Sequence, residues 1–476
     1  MGKLYVFGIG GTGSRVLKSL TMLLAAGVKI NADEIVPVII DPDHASADLA
    51  RTVKLLRNYN NAHHESRSVD DGSGFFSTKI NLEILPSAML PVKDAENAAF
   101  KEYIGLEGIK NISRSSFALA SMLFSEEKLN AGMDTGLKGG SSIGSVVLNQ
   151  ISASPEFKNL LASFGQNDRI FIISSTFGGT GTVGFPLLIK SLRDIKEDAG
   201  DYLKNAIIGA VLVLPYFCAA LDEESENGDS DFISKTKAAL SYYDRNINEA
   251  NALYYISDSI SNQYGNSERG PVQHNKAHFI ELAAALAIVD FAGMTDLATQ
   301  NGKPERTCYR EFGVKREAEC LSFGNLGEAT NLIIKKPLTQ FLLFCKYMDE
   351  RLVDSYPGQS WAKKHNIDDV FVKNPYFQSD LSNVKNGYIS WLTEMANNSR
   401  AFEPFDLQKP KDRLFELIKD EIPTLDTGWF KKNNYELFDA TLNKLQVKGD
   451  HSKPFRNFVE LFFQATEKLV NLKFGM

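Results

Sequence analysis

Three glycine-rich loops hold the residues of this chain best suited to chemistry. "GIGGTGS" contains Gly10, Gly11, Thr12, Gly13 and Ser14; "GLKGGSSIGS" contains Gly139, Gly140 and Ser141; "FGGTGT" contains Gly178, Gly179, Thr180, Gly181 and Thr182. Glycine lets the backbone close on the oxygens of a phosphate, and bare N–H groups at the start of a helix attract anions. Thr180 and Thr182 add hydroxyls that can donate to phosphate or approach its Mg2+. A single loop of this kind suits a dinucleotide fold, with Asp41 placed to take a ribose hydroxyl. Further loops exceed what one dinucleotide needs. They predict that one triphosphate is gripped from opposite sides while the "GLKGGSSIGS" loop closes on its terminal phosphate.

The elements that must position these loops are legible from the spacing of apolar residues. Lys3 to Phe7 reads as a buried strand and Ser14 to Leu24 as a helix, so the first loop is a strand-to-helix turn. "EIVPVIID" gives a second strand that ends at Asp41, and the polar stretch from Asn58 to Ser77 reads as a long loop or insertion. Arg169 to Ser175, "NAIIGAVLVLPYF" and "NALYYISD" are further strands, with helices over Phe185 to Leu192 and "FISKTKAALSYYDR". "NKAHFIELAAALAIVDFAGM" is a long helix apolar enough to be buried along its length. Alternating strands and helices predict an α/β fold with a doubly wound, mostly parallel sheet over residues 1–300. From about Cys308 the strand signal weakens, and 301–476 read as a mainly helical C-terminal domain. There the stripe Phe455, Phe458, Val459, Phe462, Phe463, Leu469 and Val470 is expected to be a core face.

Composition bounds the partners. The chain has 476 residues, 43% apolar and 23% charged, with a formal net charge of -7, so it offers no overall basic stripe for nucleic acid. The apolar run "AIIGAVLVLPYFCAAL" is interrupted by Pro215 and is shorter than the roughly 20 residues a membrane-crossing helix needs. Cys218, Cys308, Cys320 and Cys345 lack paired metal or disulfide spacing. No signal-peptide layout opens the chain. These features predict a cytoplasmic protein with neither a membrane nor a nucleic-acid partner. "LDEESENGDSD" is expected to be a solvated acidic loop.

The order of the motifs resembles the tubulin/FtsZ superfamily of GTP-binding, filament-forming proteins, and among them the divergent prokaryotic tubulin-like proteins. "VFGIGGTGSRV" looks like the first glycine loop, "GLKGGSSIG" like the loop that senses the terminal phosphate, and "IFIISSTFGGTGTVGFPLL" like the signature loop and its helix. "AIIGAVLVLPYF" and "KTKAALSYYDRNINEANALYYISD" are similar to the strand, helix and strand that follow. The resemblance covers about Lys3 to Met294. It implies GTP or GDP with Mg2+ as ligand, a homo-oligomer or filament built through the nucleotide face, and slow or assembly-dependent hydrolysis. Other protein partners would meet the helical C-terminal part.

The resemblance also implies a base-reading residue early in the long helix. Glu281 is the first candidate for accepting from the guanine N–H groups, with Asn275, His278 and Asp258 near it. Pairing of Glu281 with a cation, or exposure of its carboxylate to solvent, is the competing reading. His274, His278 and Glu281 share one helical face, but without a further ligand no metal site is expected. Hydrolysis in the family is completed by an acidic loop after this helix. "VDFAG" resembles that string, although Asp290 falls inside the helix, and Asp296 and Glu305 are equal alternatives.

Three other functions compete. A ThiF-like ATP-dependent adenylyltransferase would use Asp41, Asp43 and Arg51 of "IIDPDHASADLAR", yet leaves "FGGTGTVG" without a role. An NAD-dependent oxidoreductase needs only the first loop. A tubulin-like scaffold would bind nucleotide without turnover.

Overall fold

The computed structural model describes residues 2–43, 46–66, 74–91, 98–132, 141–194, 200–219, 228–258, 262–264, 275–313, 320–424, 434–445 and 453–476. Seven strands form the principal sheet: Leu4–Ile9 (β1), Glu34–Ile40 (β2), Lys79–Ile80 (β3), Arg169–Ser175 (β4), Ile207–Val213 (β5), Ala252–Ser257 (β6) and Cys308–Gly313 (β7). Their order across the sheet is β7-β6-β5-β4-β1-β2-β3. Every neighbouring pair runs parallel. The chain winds outward from β1 in one direction and then, from β4, in the other. The crevice between β1 and β4 is therefore the topological switch point, where open α/β sheets bind their ligands at the carboxyl ends of the strands.

Helices cover both faces: Gly10–Ala25 (α1), Ala47–Ser66 (α2), and, after Arg114–Leu123 (α3), which buries no residue, Ser141–Asn149 (α4), Gly181–Arg193 (α5), Gly228–Asn246 (α6) and Phe279–Gly293 (α7). Beyond the sheet come Glu328–Glu350 (α8), Ser382–Ala396 (α9), Asn434–Lys444 (α10) and Pro454–Phe474 (α11). Alternate residues of β1 feed two separate cores. Leu4 and Val6 join α1, α2, α7 and the C-terminal helices. Tyr5, Phe7 and Ile9 face α4 and α5. Burial on both faces explains why the central strands are continuous apolar runs with no alternation.

The strand expectations hold at β1, β2, β4, β5 and β6 to within a few residues. The long helix is α7, and it is buried along most of its length. Phe458, Val459, Phe462, Leu469 and Val470 of α11 lie in the core, as the stripe predicts.

Two expectations fail. Asn58 to Ser66, read as part of a loop, are the last turns of α2. Polar residues mask an apolar face there, in which Leu55, Leu56, Tyr59 and Ala62 are buried at helical spacing. Cys308 to Gly313, where strand signal is weak, extend the sheet beyond residue 300 by pairing with β6. Tyr309 is 63% exposed at that edge, so the strand lacks the apolar run that marks a central one. The C-terminal helices contact the helices of the sheet: Trp391 of α9 donates to Ser19 Oγ of α1 at 3.1 Å.

Candidate functional site

Two of the three glycine loops meet at the switch point. β1 passes directly into α1, with Ile9 as N-cap. That abrupt turn needs Gly10 at φ +67°, a conformation other residues adopt only with strain. It also needs Gly8 and Gly13 in close contact. A Cβ on Gly13 would lie 2.4 Å from the Gly8 carbonyl carbon. The loop after β4 folds back in a similar way, since a Cβ on Gly181 would lie 2.6 Å from Ser175 Oγ. Ser174 Oγ donates to the Gly181 carbonyl at 2.8 Å, and Thr182 Oγ1 donates to the Gly178 carbonyl at 2.6 Å. The two loops touch: a Cβ on Gly10 would be 3.5 Å from Thr180 Cβ.

This contact brings the starts of α1 and α5 together. Neither N-cap, Ile9 or Thr180, supplies a side-chain cap, and neither first turn holds an acidic residue. The first N–H groups of a helix lack intrahelical partners, and their dipoles favour negative charge. Two such termini facing one crevice fit the phosphates of a nucleotide. Ser14 is fully buried within α1, and its Oγ has no hydrogen-bond partner among the described residues.

The remaining expected residues have the following surroundings. Asp41 and Asp43 are buried just past β2, and the Asp43 amide donates to Asp41 Oδ1 at 3.1 Å. Thr12 is buried and accepts from Arg15 Nη2 at 3.4 Å. Ser141 opens α4, while Gly139 and Gly140 lie outside the described residues. His274 and most of the acidic "LDEESENGDSD" stretch also lie outside them.

Glu281 is engaged by neighbouring protein groups. Its Oε1 accepts from Arg15 Nε at 2.6 Å and from the Tyr216 hydroxyl at 3.1 Å. Its Oε2 accepts from the His278 amide at 3.2 Å and so caps α7. The pairing with a cation that the sequence left open is present, and the carboxylate does not reach solvent. Burial raises the Glu281 pKa, and Arg15 opposes it. Burial works against the Arg15 charge too, but Tyr216, Glu281 and Asp48 outweigh it and hold the guanidinium protonated.

The pair belongs to a larger network beneath the first loop. Arg15 Nη1 lies 3.7 Å from Asp48 Oδ2. Arg51 is bonded to Asp48 and lies 3.3 Å from Glu394 Oε1, and Lys18 reaches Glu394 Oε2 at 3.1 Å. Asn275 Nδ2 donates to Asp48 Oδ2 at 3.0 Å. Three cations thus meet three carboxylates from α1, α2, α7 and α9. Burial pushes the Glu394 pKa up, but Lys18, the Ala277 amide and Arg51 bring it below the ordinary carboxylate range. Arg51, expected to serve ATP in the ThiF-like reading, is committed to this network.

Asp258 is also paired, 2.7 Å from Arg400 Nε. The His278 ring lies tilted against Tyr216, and its Nδ1 accepts from the Ile280 amide at 3.1 Å. Burial, then Arg15 and Arg400, lower its pKa to about 3, so the ring is neutral near pH 7. Among the described residues no group of three or more His, Cys, Asp or Glu side chains is arranged to hold a metal. Asp290 lies within α7 and accepts from the Tyr254 hydroxyl at 2.6 Å. Asp296 is exposed and paired with Arg306.

Arg15, Lys18, Asp48 and Glu394 were not singled out in the sequence. Their only local signal is charge on otherwise apolar faces at i, i+3 spacing, as in Arg15/Lys18 and Asp48/Arg51. The partners lie as far as 376 positions away.

No protein-family model matches the chain, and no curated protein does. Among solved structures it is similar to the GTPγS-bound protofilament of CetZ2 from Haloferax volcanii, with 13% identity and a TM-score of 0.30. The match covers 62% of this chain and 60% of that one, so the chain spans about three-fifths of the length of the protein it matches.

Proposed function

We propose that this chain is a guanine-nucleotide-binding protein that holds GTP, with Mg2+, across the crevice between β1 and β4. The observation that carries the reading is the convergence of two uncapped helix N-termini where Gly10 meets Thr180. In this reading the N–H groups of Gly10, Gly11, Thr12 and Gly13 orient one side of the diphosphate. Those of Gly178, Gly179, Thr180 and Gly181 hold the other, with Gly139, Gly140 and Ser141 towards the terminal phosphate. Ser14 Oγ and Thr182 Oγ1 supply hydroxyls close to these loops. Asp41, at the carboxyl end of β2, takes a ribose hydroxyl. Asp258 and Asn275 lie on the base side, and Glu281 sets the position of α7 through Arg15 while its own oxygens stay engaged.

Bound nucleotide supplies the phosphoanhydride, and the chain's contribution is positioning and charge neutralisation. Hydrolysis, in this reading, is slow or dependent on assembly into a homo-oligomer or filament through this face; Asp290 is engaged by the Tyr254 hydroxyl and Asp296 by Arg306. Other protein partners, in this reading, meet the helices of 301–476. The free thiols of Cys308, Cys320 and Cys345 suit the reducing cytoplasm. Among the described residues no helix is long and apolar enough to cross a membrane.

The test is titration of GTP and ATP, each with Mg2+, into the purified chain. GTP binding that is tighter than ATP binding, and saturates at one site, supports the reading. Equal or absent binding of both overturns it.

A further inference from the structure

A cavity of about 330 Å3 opens where β1, β4 and β5 begin, at the end of the sheet opposite the glycine loops. The length of β1 separates the two by roughly 20 Å. Lys3, Gln166, Asn167, Asp168, Arg169 and Asn205 are among its lining residues, and Ala292 borders it from the end of α7. It has room for about ten waters at the ~30 Å3 that each occupies in the liquid. Such a volume stands at the lower end of the range for small-molecule sites.

The charges lining the cavity do not cancel. Asp168 is buried and already engaged: the Lys3 amide donates to its Oδ1 at 2.7 Å, the Gly165 amide donates to its Oδ2 at 2.8 Å, and Lys3 Nζ lies 3.4 Å from Oδ2. Arg169 has no carboxylate partner among the described residues. Its Nη1 donates to the Met294 carbonyl at 2.7 Å and to the Phe291 carbonyl at 3.4 Å, where α7 ends. Its Nε and Nη2 have no partner among the described residues. Burial lowers the Arg169 pKa, and no anion opposes that shift. Asn205 Oδ1 accepts from the Gly302 amide at 3.2 Å, so its Nδ2 donors remain for a ligand. Gln166 and Asn167 are exposed. A guanidinium edge beside side-chain amide donors matches the oxygens of a carboxylate or a phosphate.

We propose that this cavity binds a small oxyanion, a carboxylate or a phosphate carried on a compact polar molecule, with Arg169 as its charge partner and Asn205, Gln166 and Asn167 as further donors. Lys3 and Arg169 stand against Asp168 alone, so the lining carries an excess positive charge on a chain whose formal net charge is -7. The site is separate from the nucleotide crevice, because the two lie at opposite ends of the same strands.

Calorimetric titration of succinate, glycerol 3-phosphate and uncharged glycerol into the nucleotide-free full chain tests this, with ionic strength held constant by sodium chloride. At least one of the two anions saturates a single site with a dissociation constant of about 1 mM or tighter, and glycerol does not bind. Which anion binds tells a carboxylate ligand from a phosphate. Gln166→Glu adds a competing carboxylate to the lining and weakens binding at least about tenfold, without lowering the thermal midpoint, since Gln166 is exposed. Arg169→Gln weakens binding as much. It also releases the α7 carbonyls, which is why Gln166→Glu accompanies it. Gly179→Asp in the phosphate loop leaves the affinity unchanged. Failure of both anions to bind, an affinity that survives either substitution in the cavity, or loss of binding in Gly179→Asp would each overturn the proposal. The last result would move the anion to the nucleotide crevice.

Discussion

Arg15 Nε lies 2.6 Å from Glu281 Oε1, which joins the helix after the first glycine loop to the head of α7 across 266 residues of sequence. Both side chains are almost wholly buried. Removing one partner leaves the other as an uncompensated interior charge, which costs about 3–5 kcal/mol. Glu281→Ala is therefore expected to destabilise the chain by that amount in denaturant unfolding. Arg15→Met combined with Glu281→Leu recovers part of the loss, as apolar replacements of buried pairs do. A Glu281→Ala chain that unfolds like wild type but no longer selects GTP would return Glu281 to a base-reading role.

His278 makes stability depend on pH in a defined direction. Its folded pKa is about 3, against an ordinary 6.5, so below 6.5 the unfolded chain takes up a proton that the folded chain refuses. The contribution is complete above pH 6.5 and is lost as pH falls towards 3, at no more than ~1.4 kcal/mol per pH unit. Urea unfolding at pH 7.5, 6.5, 5.5 and 4.5 reads the slope. His278→Asn, which keeps an N-cap for α7, is expected to flatten the limb between pH 6.5 and 5.5.

Gly13 tests whether close packing of α1 on β1 shapes the phosphate crevice. A methyl group there meets the Gly8 backbone at 2.4 Å, and no flexible side chain is available to yield. Gly13→Ala is expected to destabilise the chain by about 2 kcal/mol or more. It should weaken nucleotide binding at temperatures where the chain is still folded, because α1 must move away from β1. Unchanged affinity in folded Gly13→Ala would separate the turn from the site.

Glu394 supplies the contact of α9 with both Lys18 and Arg51. Glu394→Gln keeps the shape but leaves two cations facing one another without their shared anion. A loss of about 2–4 kcal/mol is expected in thermal or chemical unfolding, the range set by breaking a mostly buried pair.

The fold's centre was legible because parallel strands buried on both faces must be continuous apolar runs, and glycine loops must punctuate the turns into helices. β1, β4 and the loops after them carry both signals. β7 was missed because an edge strand with Tyr309, Arg310 and Glu311 exposed has no apolar run. The last turns of α2 were missed because "NYNNAHHES" is polar at all but a few spaced positions. The site divides in the same way. Its glycines are local features, whereas the engagement of Glu281 depends on an arginine 266 positions away, and sequence spacing offers no means of pairing them.

The central claim is that the crevice between Gly10 and Thr180 holds the phosphates of GTP. The most direct measurement is to identify any nucleotide released from the purified chain by chromatography, then to titrate GTP and ATP with Mg2+ into wild type and Gly179→Asp. The substitution places a carboxylate among N–H groups meant for phosphate. GTP released from or bound selectively by wild type, and lost in folded Gly179→Asp, is the predicted result. ATP selectivity, or GTP binding that survives the substitution, would contradict the account.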